Sequence, residues 1–155
     1  MKKILVLAVF ATMFSYAAVA QSYNTGIGGR GGVFNGLTFK QFISSNDAFE
    51  IVGAIHYGGL FVSGMYQRHT NAFDVPGLNW YYGGGAFIGF YSDSRHPSWS
   101  TPGNHTGFGV NGVVGLEYKI DEIPISLGVD LIPALDIIDH TRFWLGGGVT
   151  VRFVF

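Results

Sequence analysis

Eight runs of period-two alternation, each cut from the next by turn residues, limit more than any other feature how this chain folds. They span about 25–34, 37–43, 48–57, 60–69, 78–91, 108–120, 124–137 and 143–155. Such alternation puts one set of side chains on each face of an extended strand. The breaks are Asn35-Gly36, Ser44 to Asp47, Gly58-Gly59, Asn71 to Gly77, Asp93 to Gly107, Asp121 to Ile123, and Ile138 to Arg142. Asn-Gly is the strongest short hairpin signal, and the 15-residue segment DSRHPSWSTPGNHTG is the one long loop. The even number of runs, the mostly short connections and the lack of a repeat or linker predict one all-β domain with antiparallel neighbours.

The first twenty residues read as a secretory signal peptide. Lys2 and Lys3 precede an apolar run from Ile4, and Ala18-Val19-Ala20 places cleavage before Gln21. The exported domain is then residues 21–155, and with no cysteine in the chain it has neither disulfide nor thiol chemistry. Without Lys2 and Lys3, seven basic residues face ten acidic ones, a net charge of −3 with histidine neutral, which predicts no nucleic-acid partner.

Only 12% of the residues are charged and 16% are aromatic, whereas a soluble domain carries about 25% charged residues. Yet no stretch of ~18 apolar residues follows the leader to make a spanning helix. A bilayer accepts only helices and closed barrels, because every backbone N–H and C=O must be paired within it. The fold expected is therefore an eight-stranded antiparallel up-and-down transmembrane β-barrel. Its small lumen suits Gly, Ala, Ser, Asn and a few long polar side chains, which sends the large apolar residues outward. The outward aromatics fall in two girdles. Phe49, Tyr66, Trp80, Tyr82, Tyr118, Phe153 and Phe155 belong to a periplasmic rim, and Tyr57, Phe90, Phe108 and Phe143 to an outer rim.

The chain ends in VTVRFVF, with Val149, Val151 and Phe153 at alternate positions before the terminal Phe155. This resembles the C-terminal assembly signal of small outer-membrane barrels of the OmpA/OmpX type, and residues 22–155 resemble that family in architecture. The resemblance implies location in the outer membrane of a Gram-negative-type bacterium, as a monomer among outer-membrane lipids and lipopolysaccharide. It implies handling by periplasmic chaperones and the barrel-assembly machinery, and it fixes no biochemical activity. Pro133 departs from the family pattern, since a closed barrel has no edge strand to hold a proline; a bulge near Ile132-Pro133 is expected, which would bear on the facing of Asp136.

Facing assigns Arg30, Lys40, Lys119 and Arg152 to the lumen with Glu50, Glu117, Asp130 and Asp136, four of each sign. Buried charges of equal number point to pairing and a plugged barrel; one dominant sign would point to an ion path. The expected role is structural or a surface interaction, without an open pore or a cofactor. GIGGRGG, residues 26–32, fits a dinucleotide fingerprint, but no helix-forming run follows it. Its glycines instead make room in the lumen.

Some small outer-membrane barrels are lipid A deacylases or acyltransferases that use a His, a Ser and a carboxylate near the outer rim. His96, His105 and His140, with Ser92, Ser94, Ser98, Ser100, Asp93 and Asp139, supply those residue types. The deacylase stretch His-x-Ser-Asn is here His140-Thr141-Arg142, without its serine, so solvated loop residues are the preferred reading. His96 and His105 lack any metal-ligand spacing. A carrier of small hydrophobic molecules is a further alternative, lined by Phe61, Met65, Phe87 and Trp144 if these face inward.

Overall fold

A computed structural model describes residues 23–56, 59–92, 104–137 and 142–155. Tyr57, His96, Asp139 and His140 lie outside the described residues, as do Asp93, Ser94, Ser98, Ser100 and residues 1–22. The described residues form eight strands: β1 (Thr25–Gly32), β2 (Asn35–Phe42), β3 (Asp47–His56), β4 (Gly59–Asn71), β5 (Leu78–Ser92), β6 (Asn104–Ile120), β7 (Ile125–Asp136) and β8 (Arg142–Val154). Each is antiparallel to its chain neighbour and β8 closes on β1, giving an up-and-down closed barrel. GIGGRGG lies inside β1 and its first hairpin turn, with no helix among the described residues to complete a nucleotide fold.

Two boundaries differ from the sequence reading. The first turn is Val33-Phe34, and Asn35 already begins β2. The Asn35 carboxamide oxygen accepts from the Gly32 N–H at 3.1 Å, so the asparagine braces the turn from beside it. β6 begins at Asn104, because the turn-like residues Asn104 to Gly107 pair with Ser92 to Gly89 of β5. A partner strand outweighs their weak strand propensity.

The expected bulge at Pro133 is absent. The β6–β7 register is the same on both sides, with Asn111 opposite Ala134 and Val114 opposite Leu131. Only the two pairs between lapse, because proline has no N–H to give. Opposite it Gly112 makes room: a Cβ there would lie 3.3 Å from Pro133 Cγ. Asp136 therefore keeps the inward alternation of Asp130, Ile132 and Ala134, at the end of β7 where it is half-buried.

The ladder is strongly staggered. Crossing it from Gly28 through Thr38, Val52, Ser63, Phe87, Gly109 and Asp136 leads to Arg142 on β8. That is ten residues from Arg152, the β8 residue that Gly28 pairs with directly. A stagger of this kind tilts the strands by roughly 35–45° to the barrel axis, and with eight strands it leaves an interior just wide enough for side chains.

Glycines set the corners of this wall. At Gly28 an added Cβ would lie 1.9 Å from Val151 O, at Gly36 2.1 Å from Gly53 O, and at Gly83 and Gly85 1.8 Å from Tyr66 O and Gly64 O. Gly109 and Gly115 meet Leu135 O and Val129 O at 2.2 and 2.6 Å. These contacts fall at the β8–β1, β2–β3, β4–β5 and β6–β7 boundaries, so the wall is four hairpins joined at tight corners. Gly28 thus serves a close approach of two backbones, where the sequence reading assigned it to lumen space. Gly26, 3.3 Å from Arg152 Cδ by the same construction, does make room for a luminal side chain. We expect Gly85→Leu to lower the stability of the folded barrel by roughly 2 kcal/mol or more in urea titrations, and Gly29→Ala, where a Cβ meets nothing within 4 Å, to change it by less than about 0.5 kcal/mol.

Candidate functional site: a sealed, charge-paired lumen

Even-numbered positions of β1, β2 and β3 face inward and odd-numbered ones outward, as the buried Arg30, Lys40, Glu50 and Val52 show against the exposed Ile27, Leu37, Phe39 and Ile51. The same alternation around the wall fills the lumen in three layers. At the end carrying the termini, Tyr23, Phe42, Ala48 and Val154 make a small apolar floor. Tyr23 turns inward just before β1, packs edge-on against Phe42 with ring centroids 5.1 Å apart, and donates its hydroxyl to Glu117.

The middle layer holds three buried cations, Arg30, Lys40 and Arg152, and three buried anions, Glu50, Glu117 and Asp130. Lys40 Nζ donates to Glu117 Oε2 at 2.7 Å and lies 3.8 Å from Glu50 Oε2. Arg152 donates to Glu50, and its Nη1 lies 3.6 Å from Glu117 Oε2. Thr38 and Gln67 also donate to Glu50. One storey away, Arg30 grips Asp130 with both terminal nitrogens, Nη1 at 2.7 Å from Oδ2, and Tyr81 donates to the same oxygen at 2.8 Å. Fork-to-fork pairing of this kind fixes orientation as well as charge. Tyr81 joins the two groups, since Lys40 Nζ sits 4.3 Å from its ring centroid and His69 stacks on the ring at 5.3 Å. Gly115, paired with Tyr81, leaves the ring its place: a Cβ there would meet Tyr81 Cζ at 2.5 Å.

Six of the eight charged residues assigned to the lumen from sequence, Arg30, Lys40, Glu50, Glu117, Asp130 and Arg152, therefore meet in two linked clusters. Lys119 does not join them. It stands next to the last residue of β6, half-buried, and its ammonium reaches the Ile120 carbonyl at 2.7 Å. The position has inward alternation but lies at the rim, beyond reach of the carboxylates. Partners that sequence reasoning did not single out are Tyr23, Thr38, Gln67, His69 and Tyr81, all buried on the inward face. Their alternation was legible, but which of them meet depends on the stagger.

The third layer is apolar. Phe34 in the β1–β2 turn is fully buried and stacks on Phe61 with centroids 4.6 Å apart. Phe87 lies 5.2 Å from Phe61, and Trp144 5.1 and 5.7 Å from Phe34 and Phe87. Gly146 and Gly109 lie under these rings, where a Cβ would come within 2.4 Å of Phe34 and 2.7 Å of Phe87. The four carrier candidates Phe61, Met65, Phe87 and Trp144 thus do face the lumen. They spend their surface on one another and on Phe34, Ala54, Val113, Ile132 and Ala134.

On the outside, Phe49, Tyr66, Trp80, Tyr82, Phe90, Phe108, Tyr118 and Phe143 are all exposed, and so are Val149, Val151, Phe153 and Phe155. Phe49 and Tyr66 are cross-strand partners near the termini end, while Phe90, Phe108 and Phe143 lie towards the opposite end. Of the charged residues whose side chains are described, the exposed ones are Arg68, Asp74, Asp121 and Glu122, all at the termini end. The outer wall between the ends is Ile, Leu, Val, Phe, Tyr, Trp, Ala, Pro and Gly. Comparison of the chain with family models, with characterised proteins and with solved structures gives no match in any of the three.

Removing one member of the Arg30–Asp130 pair strands the other in the lumen. We expect Arg30→Met and Asp130→Leu each to cost roughly 3–5 kcal/mol in urea unfolding, and the double variant to cost less than the sum by several kcal/mol.

Proposed function

We propose that the protein is an integral outer-membrane β-barrel whose packed, charge-paired lumen carries no open pore and whose role is structural or a surface interaction. The observation that carries this reading is the inversion of polarity across the wall of the described residues: ion pairs inside, an apolar band outside, and the exposed charges Arg68, Asp74, Asp121 and Glu122 at the rim beside the termini. In water such a band would far exceed the few hundred Å² of contiguous apolar surface that a soluble monomer exposes. In a bilayer it is what a spanning barrel requires, and the closed ladder leaves no strand edge to solvate. The girdle residues support the same reading.

The layers support the absence of conduction. An ion entering from the end opposite the termini meets the Phe34, Phe61, Phe87 and Trp144 cluster, and one entering from the termini end meets Tyr23 and Phe42. Between them the paired charges cancel, so neither sign of ion is favoured. As partners we propose outer-membrane lipids and lipopolysaccharide around the band, with the barrel-assembly machinery and periplasmic chaperones during biogenesis. The deacylase alternative rests on loop histidines and serines, and the carrier alternative on an apolar pocket whose candidate lining residues here contact one another.

Protein from isolated outer membranes should change electrophoretic mobility on boiling in detergent, with strand-type circular dichroism before heating. Recovery as a soluble periplasmic protein with no heat-dependent shift would overturn the reading. In planar bilayers the pure protein should give no steady single-channel openings; resolvable openings would defeat the sealed lumen.

A further inference from the structure

The β4–β5 turn at the termini end holds a conformation its residues do not favour. Phe73 and Asp74 both have φ of +55°, and the turn closes through the Val75 N–H to the Ala72 carbonyl at 3.1 Å. Two consecutive positive φ angles are the demand of hairpin turns that normally take asparagine and glycine. Asp74 suits the left-handed region because a short polar side chain can bond locally there. Phe73 has no such compensation, and a bulky residue at positive φ is an outlier.

The ring gains little from the protein in return. Phe73 is 72% exposed, the most exposed large apolar side chain of the described residues, and its ring contact is with Trp80, at 5.6 Å on the outer wall. The strained backbone thus carries the ring to the outer side of the rim, level with the aromatic girdle and continuous with the apolar band. The other two described turns at this end each present one large apolar residue as well, Ile43 at 64% and Ile123 at 43% exposure. Their charged neighbours Asp74, Asp121 and Glu122 are also exposed.

We propose that Phe73 is a membrane-interface anchor: its ring lies at the headgroup–acyl boundary of the leaflet on the termini side, and that contact offsets the strain of the turn. The occupant of this surface is lipid, and the proposal rests on the outer-membrane reading above. Girdles of aromatic residues flank the apolar band of membrane barrels at this depth, and Trp80, in ring contact with Phe73, belongs to the same belt. Asp74 at the adjoining position keeps its carboxylate on the water side of the boundary. The turn then fixes how deeply this end of the barrel sits.

The chain has no cysteine, so single cysteines label uniquely. The full-length mature protein carrying Phe73→Cys, Asp121→Cys or Leu131→Cys, each labelled with a nitrobenzoxadiazole fluorophore, is refolded into phosphatidylcholine vesicles; the heat-dependent mobility shift verifies folding. The expected result is that the label at 73 is quenched by lipids with a nitroxide near the headgroup and is severalfold less open to aqueous iodide than the label at 121. The label in the band at 131 should be closed to iodide and quenched by nitroxides deep in the acyl chains. If the label at 73 is as open to iodide as that at 121 while 131 stays closed, the anchor is overturned and the membrane reading stands. If all three are open, both fall together.

Discussion

A closed ladder gives its inward side chains no exit, so whatever the eight strands point into the lumen must satisfy itself there. With eight strands and a stagger of ten residues the enclosed space is about the width of the side chains that fill it. Six charges share that space without water-facing surface, and each would be very costly alone. The pairing of Lys40 and Arg152 with Glu50 and Glu117, and of Arg30 with Asp130, is therefore a condition of closure as much as a consequence of it. Ties such as Arg30 to Asp130 join β1 to β7, and Arg152 to Glu50 join β8 to β3, across the barrel. They resist any slip of register, because a one-residue slip would send a charge to the apolar outer face.

The abundance of glycine has a second physical origin. Where two hairpins meet at a sharp angle, the carbonyl of one strand presses into the space where the next would carry a Cβ, as Val151 O does at Gly28 and Tyr66 O at Gly83. Elsewhere the glycine is a seat for a ring: Tyr81 over Gly115, Phe87 over Gly109, Phe34 over Gly146. Wall curvature and lumen filling thus draw on the same residue type, and Gly109 and Gly115 serve both. A strand weakened by glycine in its interior is tolerated here because both of its neighbours are hydrogen-bonded to it all the way round.

Polarity is also organised along the axis. Aromatic rings close the lumen towards the end opposite the termini, Tyr23 and Phe42 close it at the termini, and the charges lie between, away from water at either mouth. Burial from water strengthens each pair electrostatically, and the rings exclude the solvent that would otherwise compete for Glu50 and Glu117. Outside, the order among the described residues is simpler: an apolar band between two aromatic zones, with exposed charges in the turns beside the termini.

Period-two alternation determined most of the architecture before any coordinates. It located eight strands to within a few residues and set the inward face of Arg30, Lys40, Glu50, Glu117, Asp130 and Arg152, because a strand's side chains must alternate whatever its partners are. Local pattern misled where a neighbour decides: Asn35-Gly36 reads as a turn but pairs as strand, and Pro133 reads as a bulge but is housed by Gly112. Alternation also put Lys119 on the luminal face without showing that it stands at the rim. Which cation meets which carboxylate, that Tyr23 folds in as a floor, and that Phe34 completes an aromatic layer were decided only by the closed structure. These contacts join residues up to 102 positions apart, and they depend on the stagger between strands, a quantity that no single strand carries in its own sequence.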